Sequence, residues 1–167
     1  QKIFPDFVNI TEDPTLSNGS ATRPYDSEGV LTQKKDIIEN GILKTYLLDT
    51  YAARKLKSKC TGNGVLTNIL VSSKEPVSNL LKTMKDGLYI TDMMGSGANL
   101  LTGDYSRGAF GYLVKDGEIQ YPVTEITVAS NLLQMFENII SIGDDIDKRN
   151  RIRTGSMLID NITIGGT

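Results

Sequence analysis

The sequence predicts an α+β fold, built mainly from an antiparallel β-sheet or open barrel with a few short packed helices. Two dipeptides, Asn40-Gly41 and Asp116-Gly117, each separate two apolar runs. Such dipeptides are strong hairpin signals because both turn positions need a positive φ. Two-residue turns impose antiparallel pairing, and no regular β-α-β alternation accompanies them, which argues against a parallel sheet.

The first half of the chain begins irregularly. Residues 1–29 are rich in proline, glycine, aspartate and asparagine, and they are predicted to form an irregular arm with at most a short strand at Phe7–Thr11. The elements predicted after this arm are hairpin strands at Asp36–Glu39 and Ile42–Leu47, a helix at Thr50–Leu56 with a basic end, and a strand at Leu66–Ser72.

The middle of the chain predicts one helix and a set of short strands. Ser78 is predicted to cap a helix that runs through Lys85, with Gly87 in the position of a C-terminal glycine. A strand is predicted at Leu88–Thr91. Seven glycines lie between Gly87 and Gly117, and this density predicts tight turns between short strands.

The last third follows the second hairpin, which pairs Tyr112–Lys115 with Glu118–Tyr121. The elements predicted there are a half-buried strand at Thr124–Val128, an amphipathic helix capped by Ser130 and running from Leu132 to Ile140, a charged loop from Asp144 to Arg153, and a strand at Met157–Ile164.

Composition excludes several classes of function. The chain has 167 residues, a net charge of −2, no histidine and one cysteine. A single domain over residues 1–167 is expected. The net charge argues against a nucleic-acid binder that works through bulk positive charge. No apolar run is long enough for a membrane span. A single cysteine, Cys60, cannot form an internal disulfide, so a reducing cytosol is expected. The absence of histidine excludes histidine-based zinc sites and catalytic triads in this chain. Since the sequence begins with Gln1 and not with an initiator methionine, either processing or a fragment cut from a longer protein is expected, and the fragment is favoured.

The two glycine-rich stretches, Gly95–Asn99 and Gly103–Gly108, are the most unusual segments. Backbone N–H groups in such loops can hold a phosphate or carboxylate, but neither stretch matches a phosphate-loop or dinucleotide pattern, so structural turns are favoured. Arg107 next to Asp104 can clamp a peptide carboxylate, because its planar fork forms two parallel bonds. A local ion pair is the alternative.

Three other groups have a structural reading that is favoured over a functional one. Asp144-Asp145-x-Asp147 can offer oxygen ligands to a cation, but basic residues follow at once and favour a solvated loop. Cys60 has no histidine to activate it as a nucleophile. Asp26 and Glu28 can act as paired carboxylates, although turn and capping roles are favoured.

The pattern as a whole, from about residue 20 to the end, resembles the TldD/PmbA family. The segments that carry the resemblance are Tyr25-Asp26-Ser27-Glu28-Gly29-Val30, Glu39-Asn40-Gly41-Ile42-Leu43, Leu48-Asp49-Thr50-Tyr51-Ala52-Ala53-Arg54-Lys55-Leu56, Thr61-Gly62-Asn63-Gly64, Thr102-Gly103-Asp104-Tyr105-Ser106-Arg107-Gly108-Ala109 and Ile162-Thr163-Ile164-Gly165-Gly166. Within the Thr102–Ala109 segment, the version Tyr105-Ser106-Arg107-Gly108 is similar to the PmbA (TldE) branch.

The resemblance implies the C-terminal domain of a PmbA-type subunit in a cytoplasmic, peptide-processing metalloprotease. In this family a TldD-type subunit pairs with a PmbA-type subunit and carries zinc on an H-E-x-x-x-H helix, with a cysteine near its C-terminal end. This chain has neither feature: its late loop reads Arg151-Ile152-Arg153-Thr154-Gly155. No catalytic or metal residue is therefore carried over, and the chain is not expected to be catalytic alone.

The expected partners are the zinc-bearing TldD-type subunit and a peptide substrate, which can add as a strand to a sheet edge. Asp104, Tyr105 and Arg107 are the residues expected to bind substrate or partner. The alternative is a non-enzymatic interaction module that binds a partner protein such as DNA gyrase. A third interpretation, an independent hydrolase that uses carboxylates, is the least favoured.

Overall fold

A computed structural model describes residues 1–73 and 75–166 of the chain. Three short helices and eleven strands are assigned within this part: β1 (Ile10–Asp13), β2 (Lys35–Glu39), β3 (Ile42–Leu43), α1 (Thr50–Lys55), β4 (Asn68–Val71), α2 (Val77–Met84), β5 (Gly87–Met94), β6 (Asp104–Lys115), β7 (Glu118–Asn131), α3 (Leu132–Glu137), β8 (Ile139–Ile142), β9 (Ile152–Arg153), β10 (Met157–Ile159) and β11 (Thr163–Gly165).

These elements form two compact units. The first comprises residues 1–73 with 145–155, and the second comprises residues 75–144 with 156–166. Each sheet is open in the described residues, and strand pairing is antiparallel except between β4 and β9. The predicted α+β class is therefore confirmed, in its open-sheet form. The single domain over residues 1–167 stays a prediction. Within the described ranges no helix has the length and apolar character needed to cross a bilayer.

The first unit is a five-stranded sheet with the order β3-β2-β1-β4-β9. The hairpin between β2 and β3 turns at Asn40 and Gly41, whose φ angles are +49° and +74°, as the dipeptide predicted. Gly41 is also required for packing, because a Cβ atom there would collide with the carbonyl oxygens of Phe4 and Pro5.

Residues 1–29 were predicted to be an irregular arm with at most a short strand at Phe7–Thr11; β1 overlaps that segment and is the central strand of this sheet. β1 pairs with β2 on one side and with β4 on the other. Its two buried residues, Glu12 and Asp13, are adjacent and therefore point to opposite faces of the sheet. Because those side chains are polar, the segment lacks the apolar alternation by which strands are predicted.

Glu12 is buried, at 1% exposure, within a closed polar network. Lys35 Nζ lies 2.9 Å from Glu12 Oε2, and Asn63 Nδ2 donates to the same oxygen at 2.7 Å. The backbone N–H and hydroxyl of Thr67 both donate to Oε1. Burial raises the pKa of Glu12, but the hydrogen bonds from Asn63, Thr67 and Lys35 outweigh it and hold the pKa below its ordinary value.

The second unit contains a four-stranded sheet with the order β11-β7-β6-β5. Its long β6–β7 hairpin turns at Asp116 and Gly117, with φ angles of +53° and +78°. The prediction that glycines in this region only join short strands is wrong for Gly108 and Gly111, which lie inside the twelve-residue β6. A Cβ atom on Gly111 would collide with the carbonyl oxygen of Tyr89, so this glycine permits close approach of β5.

One face of this sheet carries the apolar core of the second unit. Ala109, Ile126 and Val128 are its buried centre. The partly buried side chains packed against them are Leu88, Ile90, Met93, Tyr105, Val123 and Ile162. This face therefore draws residues from all of β5, β6 and β7.

The helices confirm the predicted types but correct several ends. α1 is capped by Asp49, whose side chain accepts from the Ala52 N–H at 2.6 Å. α2 begins after Pro76 instead of Ser78, and the residue with a positive φ at its end is Lys85, at +61°, instead of the expected Gly87.

The predicted helix from Leu132 to Ile140 and the predicted strand Met157–Ile164 are both too long. α3 is capped by Asn131 instead of Ser130. The residues after α3 form β8, which pairs with β10, and β11 joins a different sheet after a turn at Asn161 with φ +56°. The last residues of the predicted helix, Ile139 and Ile140, therefore form a strand instead. Tertiary contacts override local helix propensity at this point.

Candidate substrate and partner site

Asp104, Tyr105 and Arg107 lie at the start of β6, where the sequence had predicted a loop between glycines. Successive side chains of a strand point to opposite faces, so Tyr105 and Arg107 share one face and Asp104 lies on the other. Tyr105 packs against the apolar core described above. The strand geometry therefore separates Asp104 from Arg107, and the local ion pair considered between them is not formed.

Asp104 is exposed and closes a tight turn with its neighbours. Its Oδ2 accepts a hydrogen bond of 2.6 Å from the hydroxyl of Thr102. Its backbone carbonyl accepts from Asn99 N–H at 2.8 Å. The carboxylate is thereby held at the base of the loop that connects β5 to β6.

This connecting loop, residues 95–103, is fixed by a dense set of hydrogen bonds. Asn99 Oδ1 accepts from Leu101 N–H at 3.0 Å and from Thr102 N–H at 3.3 Å, as in an Asx-turn. Asn131 Nδ2 donates to the Thr102 carbonyl at 3.1 Å, and Gly103 adopts a φ of +82°. The loop is therefore built to hold a defined shape.

Leu100 and Leu101 stand at the tip of this loop, 86% and 97% exposed. Sequence analysis did not single them out, because periodicity only identifies apolar residues that recur along a helix or strand face. The available signal was local: two adjacent leucines inside a segment rich in glycine and polar residues. A hydrogen-bonded loop with two exposed leucines at its tip is a candidate surface for contact with another protein.

Arg107 is half-buried and binds backbone carbonyls. Its Nη2 donates to the Met93 carbonyl at 3.0 Å and its Nε to the Met94 carbonyl at 3.3 Å. The hydroxyl of Tyr105 lies 2.8 Å from the sulfur of Met93. Both β6 side chains thus reach across to the end of β5.

A cavity of about 540 Å³ adjoins Arg107 within the second unit. Its walls come from α2 and α3, from β5, β6 and β7, and from residues 156–162, which contain β10. The lining is mainly apolar and includes four methionines, Met84, Met93, Met135 and Met157. This size and lining are typical of small-ligand sites.

β5 is an outer strand of its sheet and pairs only with β6 in the described part of the chain. Side chains already engage backbone groups near its C-terminal end: Arg107 holds two carbonyls, and Asp92 Oδ1 accepts from the Met93 N–H at 2.8 Å. Any pairing with a further strand would therefore use the residues before Asp92.

Asp26, Glu28 and Cys60 bring ligand-type atoms within 4.8 Å of one another in the first unit. The carboxylates are already engaged: Asp26 accepts N–H groups from Glu28, Val30 and Gly64, and Glu28 accepts both the N–H and the hydroxyl of Thr50. Cys60 Sγ contacts the Leu48 carbonyl at 3.3 Å.

Burial raises the pKa of Asp26, but the three backbone N–H donors outweigh it and leave the pKa below its ordinary value. These contacts close loops and start α1, which confirms the turn and capping roles predicted for Asp26 and Glu28. The group does not fit a zinc site, because a cation would compete with this full set of donors and with the contact made by the thiol.

The acidic cluster of the late loop is likewise engaged at Asp147. Arg149 donates to both oxygens of that carboxylate, at 2.9 and 3.0 Å. The hydrogen bonds from Arg149 hold the pKa of Asp147 below its ordinary value. The loop thus provides its own cation for this carboxylate, as expected of a solvated charged loop.

Comparison with known proteins places these features in a family. Residues 1–166 match the model of the PmbA/TldA metallopeptidase C-terminal domain. The chain is 47% identical to the metalloprotease PmbA of Escherichia coli O157:H7 over 99% of its length, and 48% identical to a PmbA homologue of Buchnera aphidicola subsp. Baizongia pistaciae. It spans only 37% and 38% of those two proteins.

Comparison with solved structures gives the same family and fold. A crystal structure from Thermotoga maritima, described as a candidate modulator of a DNA gyrase, matches with a TM-score of 0.89 at 33% identity, over 99% of this chain and 40% of that one. TldE from Thermococcus kodakarensis shares the fold, with a TM-score of 0.82 at 20% identity, over 99% and 41% of the two chains. The chain therefore belongs to the PmbA/TldD family and corresponds to the C-terminal domain of that family.

Proposed function

We propose that this chain is the C-terminal domain of the non-zinc subunit of a peptide-processing metalloprotease, where it helps to assemble the heterodimer and to form the substrate channel. The observation that carries the proposal is the fixed 95–103 loop, which displays Leu100 and Leu101 beside Asp104. An ordered apolar tip loses little conformational entropy on docking, so its burial contributes to association.

In this proposal a TldD-type partner subunit holds the zinc ion. The support is chemical: the chain has no histidine, and the group of close carboxylates and a thiol found among the described residues is engaged elsewhere. Zinc supplies a Lewis acid and an activated water when bound. This chain's own contribution is to bind and orient the peptide, and the cytoplasm is its proposed location.

The proposed role in substrate binding rests on β5 and β6. The part of β5 before Asp92 offers an open strand edge to an extended peptide. Tyr105 and Arg107 fix the far end of β5, so the edge presented to the peptide is rigid. A rigid edge orients a bound peptide at low entropic cost.

Co-purification with a TldD-type subunit tests the assembly role. We expect the double substitution Leu100→Ser, Leu101→Ser to reduce recovery of the complex at least tenfold, and peptide cleavage with it, while the thermal unfolding temperature stays within about 2 °C. The matched control is Leu56→Ser, which changes another exposed leucine. Equal recovery of the double variant and the control would contradict the proposal.

The alternative is an interaction module that binds DNA gyrase. What favours it is the likeness to the Thermotoga maritima structure. The same preparation separates the two functions: gyrase capture without any effect of this chain on peptide cleavage would support the module, whereas cleavage that requires this chain would support the protease subunit.

A further inference from the structure

Arg107 is a cation without a counter-ion in the part of the chain that the structure describes. Its hydrogen-bond partners are two neutral carbonyls, those of Met93 and Met94, and none of the ion pairs among residues 1–73 and 75–166 includes it. A guanidinium has five N–H donors, so both N–H groups of Nη1 stay available. A half-buried charge favours an anionic partner, since burial costs solvation.

The surroundings of Arg107 define what else that partner must have. The guanidinium borders the 540 Å³ cavity, whose other lining is mainly aliphatic and sulfur-containing: Leu80, Leu88, Ile90, Val128, Met135 and Met157 are examples. Methionine is flexible and polarisable, so such a wall adapts to apolar groups of different shape. The lining also includes Asp92, whose Oδ1 accepts a hydrogen bond from the Met93 N–H. The site therefore combines the Arg107 cation and the Asp92 carboxylate with a mainly apolar chamber.

We propose that this cavity is a subsite for the C-terminal residue of a peptide, with the terminal carboxylate on Arg107 and an apolar side chain in the chamber. Charge complementarity selects the carboxylate, and the lining selects a side chain such as leucine or phenylalanine. The inference rests on the proposed function for the idea that the ligand is a peptide. It adds which end of the peptide binds and which residue that end carries.

Direct binding to the full chain tests the subsite without the zinc subunit. The probe is an acetylated hexapeptide that ends in leucine and carries one internal tryptophan. The chain contains no tryptophan, so the fluorescence anisotropy reports the peptide alone. We expect the free acid to bind at least tenfold tighter than the C-terminal amide, a difference of about 1.4 kcal/mol, and at least tenfold tighter than an acid that ends in glycine.

Variants assign the two preferences to their residues. Arg107→Gln is expected to remove the difference between acid and amide, and Arg107→Lys to keep part of it. Arg54→Gln is the control, because Arg54 is an exposed arginine on α1, and it should leave the difference unchanged. Met135→Trp, which fills the chamber, is expected to reduce the affinity for the leucine-ended acid at least fivefold. Calorimetry measures binding to this variant.

Equal binding of acid and amide to the unmodified chain would overturn the inference, whether or not Arg107→Gln folds. Loss of the difference in Arg54→Gln as well would also overturn it. The two proposals fail separately. If peptide cleavage requires this chain but the acid shows no preference, only the subsite is wrong; if the acid binds as expected but cleavage ignores this chain, only the proposed function is wrong.

Discussion

At the scale of single residues, several fully buried positions in the first unit hold polar side chains, where apolar side chains are usual. Glu12 is among the largest fully buried side chains, and Asn68 and Thr67 are fully buried beside it. Every such group finds partners: no buried side-chain nitrogen or oxygen among the described residues lacks a hydrogen bond. A satisfied network of this kind specifies one arrangement of β1 and β4, because any slip in register leaves a charge unpaired.

Glu12→Gln is the residue-scale prediction. It leaves the Lys35 ammonium, whose side chain is 12% exposed, without its counter-charge. We expect a loss of about 3–5 kcal/mol in the free energy of unfolding, since breaking a buried pair strands a charge. Urea denaturation measures it. Glu39→Gln breaks the exposed pair with Lys44 and should cost about 0–1 kcal/mol; similar losses in both variants would contradict the prediction.

The carboxylate of Glu12 also determines how the stability of the folded chain changes with pH. The pKa of Glu12 is lower in the folded protein than its ordinary value of 4.5. Its contribution to stability is therefore complete above about pH 4.5 and is lost as the pH falls through the lower folded pKa. Repeating the urea series down to about pH 3 should show a shallower loss of stability in Glu12→Gln than in the unmodified chain.

At the scale of elements, hairpins and helix types followed from local chemistry, whereas element lengths did not. Asn40-Gly41 and Asp116-Gly117 adopt positive φ angles as predicted. The run from Leu132 to Ile140 has helical spacing, yet Ile139 pairs with Ile159 in a sheet. A short apolar segment fits either structure, and the neighbouring strand decided between them.

Gly111 supplies the element-scale prediction. Because a Cβ atom at this position would collide with the backbone of Tyr89, Gly111→Ala must push β5 away from β6. We expect a loss of about 2–3 kcal/mol, in the range for overpacked positions, measured by thermal or urea unfolding. The control is Gly165→Ala, where the nearest atom lies 4.0 Å away, and it should change stability by no more than about 0.5 kcal/mol.

At the scale of the whole molecule, the chain belongs to a metallopeptidase family but contains few residues of the types that bind zinc. The chain matches a metallopeptidase C-terminal domain over residues 1–166, yet it has no histidine and one cysteine. Zinc needs three or four nitrogen, sulfur or oxygen ligands in a defined geometry. The proposal that a TldD-type partner carries the metal is consistent with both observations.

The matching prediction is that the isolated chain holds no stoichiometric zinc. After dialysis, elemental analysis should find well below one zinc per chain, and a chelator should leave the unfolding temperature unchanged, because no folding energy depends on a metal. Asp26→Asn is the accompanying variant, since it keeps the shape of the turn. If it lowered a measured zinc content, the group of Asp26, Glu28 and Cys60 would be a metal site after all.

The sequence by itself determined the α+β class, both hairpin turns, the position of α1 and the resemblance to the family, because each depends on residues that are close in the chain or on the order of motifs. Tertiary structure alone decided that β1 is a central strand, since its burial relies on Lys35, Asn63 and Thr67, from 23 to 55 positions away. It also decided that Asp104 and Arg107 face opposite sides of β6. The physical reason is common to both: strand pairing and burial are settled by partners that are distant in the chain, and no local pattern contains them.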